Sequence, residues 1–150
     1  MTSIYAYKKV FTQHSTIQMA LPDNAGVDDE YRCTELCTLD GVTYVAVPDA
    51  LTLPDQPPEL TVAPAVLTNE LREQIKAAST HVQLIGQRMI DRIRATYTID
   101  DEMYFARIGV GTSLGMYVPS PSEQVEMAAF GDFCEATRQW GRDERAKLGL

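Results

Sequence analysis

The sequence has no surplus of positive charge. Its 150 residues carry 13 Lys and Arg against 21 Asp and Glu, a formal net charge of −8. An acidic chain without a basic patch lacks the electrostatic footprint of a phosphate-backbone binder, so no nucleic-acid partner is expected. No apolar run approaches the ~18 residues of a membrane helix, so no membrane partner is expected either. The opening Met1-Thr2-Ser3-Ile4-Tyr5 has no basic region followed by an apolar block, and no signal peptide is expected. Cysteine is scarce, at three. Cys33 and Cys37 would share a strand face roughly 13 Å apart at about 3.3 Å per residue, too far for a disulfide or a shared metal. Free thiols in a reducing compartment are the expected state.

Catalytic motifs are also missing. His14 and His81 are isolated, and no Ser or Cys stands in a nucleophile-elbow context. Gly109, Gly111 and Gly115 lack the spacing and the Gly-Lys-Ser/Thr ending of a phosphate loop. Asp100-Asp101-Glu102 is the densest acidic cluster, but no paired-His or His-x-x-Glu spacing accompanies it. Carboxylates at a helix N-terminus are expected from the helix dipole alone. Catalytic residues, cofactors and metals are therefore not expected.

What is present centres on residues 67–97. Thr68 or Asn69 can cap a helix whose first turn carries Glu70 and Glu73. Leu71, Ile75, Ala78, Val82, Ile85 and Met89 follow at spacings of 4, 3, 4, 3 and 4, a heptad seam. The seam then meets Arg92, whereas a straight helix carries the stripe on to Ile93 and Tyr97. Two readings stay open: the stripe packs on the chain's own later helices, or on copies of itself. The flanking positions lack the Glu/Lys alternation that pairs coiled-coil helices. Ser79-Thr80 can split the stretch into two helices, with Thr80 capping the second.

Before this stretch the reading is β and extended. Ile4–Tyr7 and Ile17–Leu21 look like short strands, and Asp28-Asp29-Glu30 like a solvated loop. Asp40-Gly41, between the apolar runs Tyr31–Leu39 and Val42–Val47, is a hairpin signature, because a type I′ turn needs positive φ at both positions. That register pairs Leu39 with Val42, Cys37 with Tyr44, and Leu36 with Val45. Both faces are apolar, so the hairpin is either covered on both sides or offers one face to a partner. Residues 48–66 hold Pro48, Pro54, Pro57, Pro58 and Pro64 and favour extended chain. They form either a linker or an arm along a neighbouring subunit.

After the central stretch, Thr98 with Asp101 forms a capping box for a short helix bearing Ile99, Met103, Ala106 and Ile108. Gly109–Gly115 is expected as a flexible loop. Ser120-Pro121-Ser122-Glu123 is a second capping box, opening a last helix to about Lys147. Val125, Ala129, Phe133, Ala136 and Trp140 give that helix one apolar face, with Phe130 beside them, and Gly149 suits its stop. Arg88 and Arg92, if the chain turns back at Thr96–Thr98, are placed to meet Asp100–Glu102.

Several of these segments carry a resemblance. They are Asp40-Gly41-Val42-Thr43-Tyr44-Val45, Leu53-Pro54-Asp55-Gln56-Pro57, Leu67-Thr68-Asn69-Glu70-Leu71-Arg72, Ile75-Lys76-Ala77-Ala78-Ser79, Ile93-Arg94-Ala95-Thr96-Tyr97 with Asp100–Glu102, and Trp140-Gly141-Arg142 with Ala146–Gly149. Across roughly residues 36–150 their order resembles small tail proteins of tailed bacteriophages, encoded near tail-tip or tail-fibre genes. Against that pattern Gly109–Pro119 looks like an insertion. The resemblance implies a virion or assembly protein without catalytic residues.

The expected architecture is α+β: an N-terminal β-hairpin unit (1–47), a Pro-rich extended linker or arm (48–66), and a C-terminal helical hairpin or three-helix unit (67–150). The expected function is that of a structural tail component, built in the host cytoplasm and carried in the virion. It would contact other tail proteins of the tip, baseplate or fibre, as a homo-oligomer or in several copies. The side chains expected to meet a partner are Leu71, Ile75, Val82, Ile85 and Met89 on the helix and Leu53, Leu60 and Val62 on the Pro-rich segment. Two alternatives stand beside it. One is a tail or fibre assembly chaperone. The other is a small enzyme or regulator, which predicts a deep polar pocket around Asp100–Glu102.

Overall fold

Asp40 and Gly41 take φ values of 49° and 79°, the positive pair that a type I′ turn requires. They join β4 (Thr34–Leu39) to β5 (Val42–Pro48) in a tight antiparallel hairpin. A computed structural model describes residues 1–26, 28 and 31–150 of the chain. Of the acidic run 28–30, Asp28 is exposed and the other two residues lie outside the described ones.

The hairpin register holds at Leu39–Val42 and Cys37–Tyr44, then shifts. A bulge sets Glu35, not Leu36, opposite Val45. Leu36 is the extra residue, so it shares a face with Cys37 and Tyr44 rather than with Val45. Nothing in a period-2 pattern announces such an insertion. Glu35, turned out by the bulge, receives two hydrogen bonds from Lys9 at 2.7 and 2.9 Å.

The hairpin belongs to a four-stranded antiparallel sheet in the order β4-β5-β1-β6, with β1 at Thr2–Tyr7 and β6 at Ala63–Pro64. Both faces are covered. On one, Tyr7, Met19, Val45, Val47 and Leu60 are buried, with Leu51, Leu53 and Val62 against them. On the other, Ile4, Leu36, Ala46 and Ile75 are buried, with Leu67, Leu71, Leu148 and Leu150 around them. The Pro-rich stretch is extended, as its composition predicts, and it lies along its own sheet. Gln56 bonds both backbone groups of Ala20, accepting from its N–H at 2.9 Å and donating to its C=O at 3.0 Å. One side-chain amide thereby serves Ala20 as a strand neighbour would. The expected strand Ile17–Leu21 is thus reduced to β3 (Thr16–Ile17), paired with β2 (Val10–Phe11).

Thr68 caps α1 (Asn69–Ala78), its Oγ1 accepting from the Leu71 N–H at 3.1 Å. The central stretch breaks at Ser79, and α2 runs Thr80–Thr96. Ser79, not Thr80, holds the junction. It is fully buried and its Oγ has no hydrogen-bond partner among the described residues. Beyond the break the half-buried positions are Val82, Gly86, Met89, Ile93 and Tyr97 with Ile85 buried, the stripe of a straight helix, and Arg92 is exposed.

The described residues form two compact units: 1–84 with 144–150, and 85–143. The division falls inside α2 and α4 (Pro121–Lys147) rather than at residue 66, because Leu71 and Ile75 of α1 pack on the sheet. In the first unit Gly149, at φ 77°, turns the chain after α4, and Leu148 and Leu150 reach the sheet.

The second unit is built on aromatic rings. Tyr97 meets Phe130 and Phe133 edge to face at 5.0 and 5.6 Å between centroids, and Phe105 stacks on Phe130 at 5.0 Å. Two expectations are corrected here. The last helix does not bury Val125, Ala129 and Ala136, which are exposed. Its inward face keeps the expected Phe133 and Trp140, with Phe130 beside them, and adds Met127, Cys134, Thr137 and Gly141. The Thr137 hydroxyl is satisfied by the Phe133 carbonyl at 2.9 Å, and a Cβ on Gly141 would overlap Met89 Sδ. Arg92 lies 6.0 Å over the Trp140 ring, and the Asp101 carboxylate is held by Thr98. No ion pair joins Arg88 or Arg92 to Asp100–Glu102 among the described residues.

Candidate docking surface

The helix α3 spans Ile99–Ser113, well past the expected end at Ile108. Its start follows the sequence: Thr98 Oγ1 accepts from the Asp101 N–H at 3.1 Å, and the Asp101 carboxylate accepts from the Thr98 N–H at 2.7 Å. The bond from the Thr98 N–H, and a second from the Thr98 hydroxyl at 2.8 Å, hold the Asp101 carboxyl below its ordinary pKa. The predicted loop is helical through Gly109 and Gly111, and the Thr112 and Ser113 hydroxyls bond back to the Ile108 and Gly109 carbonyls. The stop comes at Gly115, at φ 67°, whose N–H bonds the Thr112 carbonyl.

This longer helix is apolar on two sides. Inward stand Ile108, which is buried, and the half-buried Phe105. Outward stand Ile99, Met103 and Val110, followed by Leu114, exposed by 56%, 66%, 59% and 67%. Their spacings of 4, 7 and 4 residues keep them on one helical face. Of these, Met103 and Val110 line an open groove of about 560 Å³, together with Asp100, Tyr104, Ala106 and Arg107. It is a shallow apolar groove with one carboxylate and one guanidinium, not a deep polar pocket around Asp100–Glu102. The chain beyond it, Met116, Tyr117 and Val118, is exposed as well.

The segment after α3 is fixed by one carboxylate. Glu123 accepts from the Ser120 N–H at 2.7 Å, from the Tyr117 hydroxyl at 2.8 and 2.9 Å, and from the Tyr104 hydroxyl at 2.9 Å. The backbone bond from Ser120, then the two phenols, hold its pKa down to about 2. The same carboxylate pushes the Tyr104 and Tyr117 phenols up. The capping box read at Ser120–Glu123 therefore also ties the exposed turn to α3, so the outward face stands on a braced segment.

The eight side chains expected to meet a partner lie elsewhere, and none is exposed. Ile75, Ile85 and Leu60 are buried, while Leu71, Val82, Met89, Leu53 and Val62 are half-buried. The sequence did place Ile99, Met103, Ala106 and Ile108 on one short helix, but without separating its faces. The missed signal is that α3 carries two apolar stripes, and a helix can turn only one of them to its own core. The three thiols are half-buried, and burial raises their pKa values. Among the described residues no cluster of His, Cys, Asp or Glu could hold a metal, and no helix is long and apolar enough to cross a membrane. The chain matches no protein-family model, no curated protein and no solved structure.

Proposed function

We propose that the chain is a structural assembly protein of a bacteriophage tail, acting by protein–protein contact at the tip, baseplate or fibre attachment and without catalysis. The observation that carries the contact role is the outward face of α3. At their exposures Ile99, Met103, Val110 and Leu114 present on the order of 500 Å² of apolar surface, a size at which a patch is commonly functional. The tail context rests on the resemblance of the segments from Asp40–Val45 to Trp140–Arg142. Proteomic analysis of purified particles, with the chain produced as wild type or as Met103→Glu, tests the reading. Wild type is expected in the particle in fixed proportion, and Met103→Glu is expected to be lost from it while remaining folded. Absence of the wild-type chain from particles would contradict the structural role and favour an assembly chaperone.

A further inference from the structure

The outward stripe of α3 reads nearly the same in either direction. About the midpoint between Ala106 and Arg107, reversal sets Ile99 opposite Leu114 and Met103 opposite Val110. Apolar meets apolar at each step, the pattern an isologous two-fold contact requires. We propose that a second copy of this chain occupies the face, with α3 packed antiparallel on its symmetry mate. The proposal rests on the contact role argued above and names the partner.

Charge favours the same arrangement. The first turn carries Asp100, Asp101 and Glu102, and the last turn carries no basic residue. A parallel pair would superpose the two acidic turns. Reversal puts them at opposite ends, roughly 20 Å apart at about 1.5 Å per residue. Each exposed Arg107 then stands between its own Asp100 and that of the mate, roughly 10 Å along the axis from either. The stripe supplies on the order of 500 Å² of the about 800 Å² that each partner gives in a stable interface, and the exposed Ala106, Asp100 and Arg107 beside it extend the face. Arg107 leans over the Tyr104 ring at 5.9 Å, clear of the stripe, so the contact line stays apolar.

Light scattering of the full chain across a concentration series, with mild oxidation of Ala106→Cys, tests this. Wild type is expected to be dimeric at micromolar concentration. Ala106→Cys, beside the axis, is expected to give a covalent dimer whose linked peptides both contain position 106, and Val125→Cys, on α4, to give none. A chain monomeric throughout would overturn the proposal. So would a dimer in which Ala106→Cys stays unlinked. Either result leaves the tail role to the particle experiment, where Met103→Glu reports contact with any partner.

Discussion

The sheet unit and the helical unit solve burial differently. In the first, β5 sends Val45 and Val47 to one face and Ala46 to the other, and each face is covered by the chain itself. The Pro-rich stretch closes one side, and α1 with the C-terminal leucines closes the other. In the second, Tyr97, Phe105, Phe130 and Phe133 fill the inside while α3 keeps a second apolar stripe outside. An apolar side chain at helical spacing therefore means two different things in this protein. Ile75 of α1 is 0% exposed and holds the fold, whereas Met103 of α3 stands in solvent.

That contrast is sharpest between these two residues. Ile75→Ala is expected to cost about 3 kcal/mol, because it leaves a cavity beneath Ile4, Leu36 and Ala46. Met103→Ala is expected to change stability by less than about 0.5 kcal/mol. Urea unfolding of the two variants checks the pair, and similar losses would erase the distinction. Within the helical unit, Gly141→Val is expected to cost about 2 kcal/mol by forcing Met89 aside. Thr98→Ala removes the cap of α3 at a cost of about 1 kcal/mol, read from the same denaturant midpoint. At the α1–α2 junction the sign reverses. Ser79→Ala removes a buried hydroxyl without a partner and is expected to be neutral or stabilising by up to about 1 kcal/mol.

Acid should act on the helical unit through Glu123. Its folded pKa of about 2 lies below its ordinary value of 4.5, so the folded state favours the ionised carboxylate. The contribution is present in full above about pH 4.5 and fades as pH falls through 2. Tyrosine fluorescence along an acid titration should report release of Tyr104 and Tyr117 near pH 2, with Tyr117→Phe moving the transition to higher pH. Release already complete at pH 4 would contradict the clamp.

Local chemistry was legible in the sequence. Asp40-Gly41 set the turn, Thr68, Thr98 and Ser120 set three helix starts, and Gly149 set a stop, because each acts within four residues of itself. Packing choices were not. The inward face of α4 uses Thr137, Cys134 and Gly141, side chains that do not register as an apolar stripe, while Val125 and Ala129 do and are exposed. Gly109 and Gly111 read as loop because their helix propensity is low, yet α3 continues to Ser113 with Ile108 buried beneath it. The outward apolar face of α3 went unread for the same reason, since its C-terminal half, Val110 and Leu114, lay in that presumed loop.

The most direct measurement is the solution mass of Met103→Glu against wild type, taken with the thermal transition of each. Self-association through α3 predicts that the substitution weakens it by at least about tenfold, while the transition falls far less than that of Ile75→Ala. An unchanged mass would contradict self-association through α3, and a transition lowered as far as that of Ile75→Ala would place Met103 in the fold and contradict an outward surface.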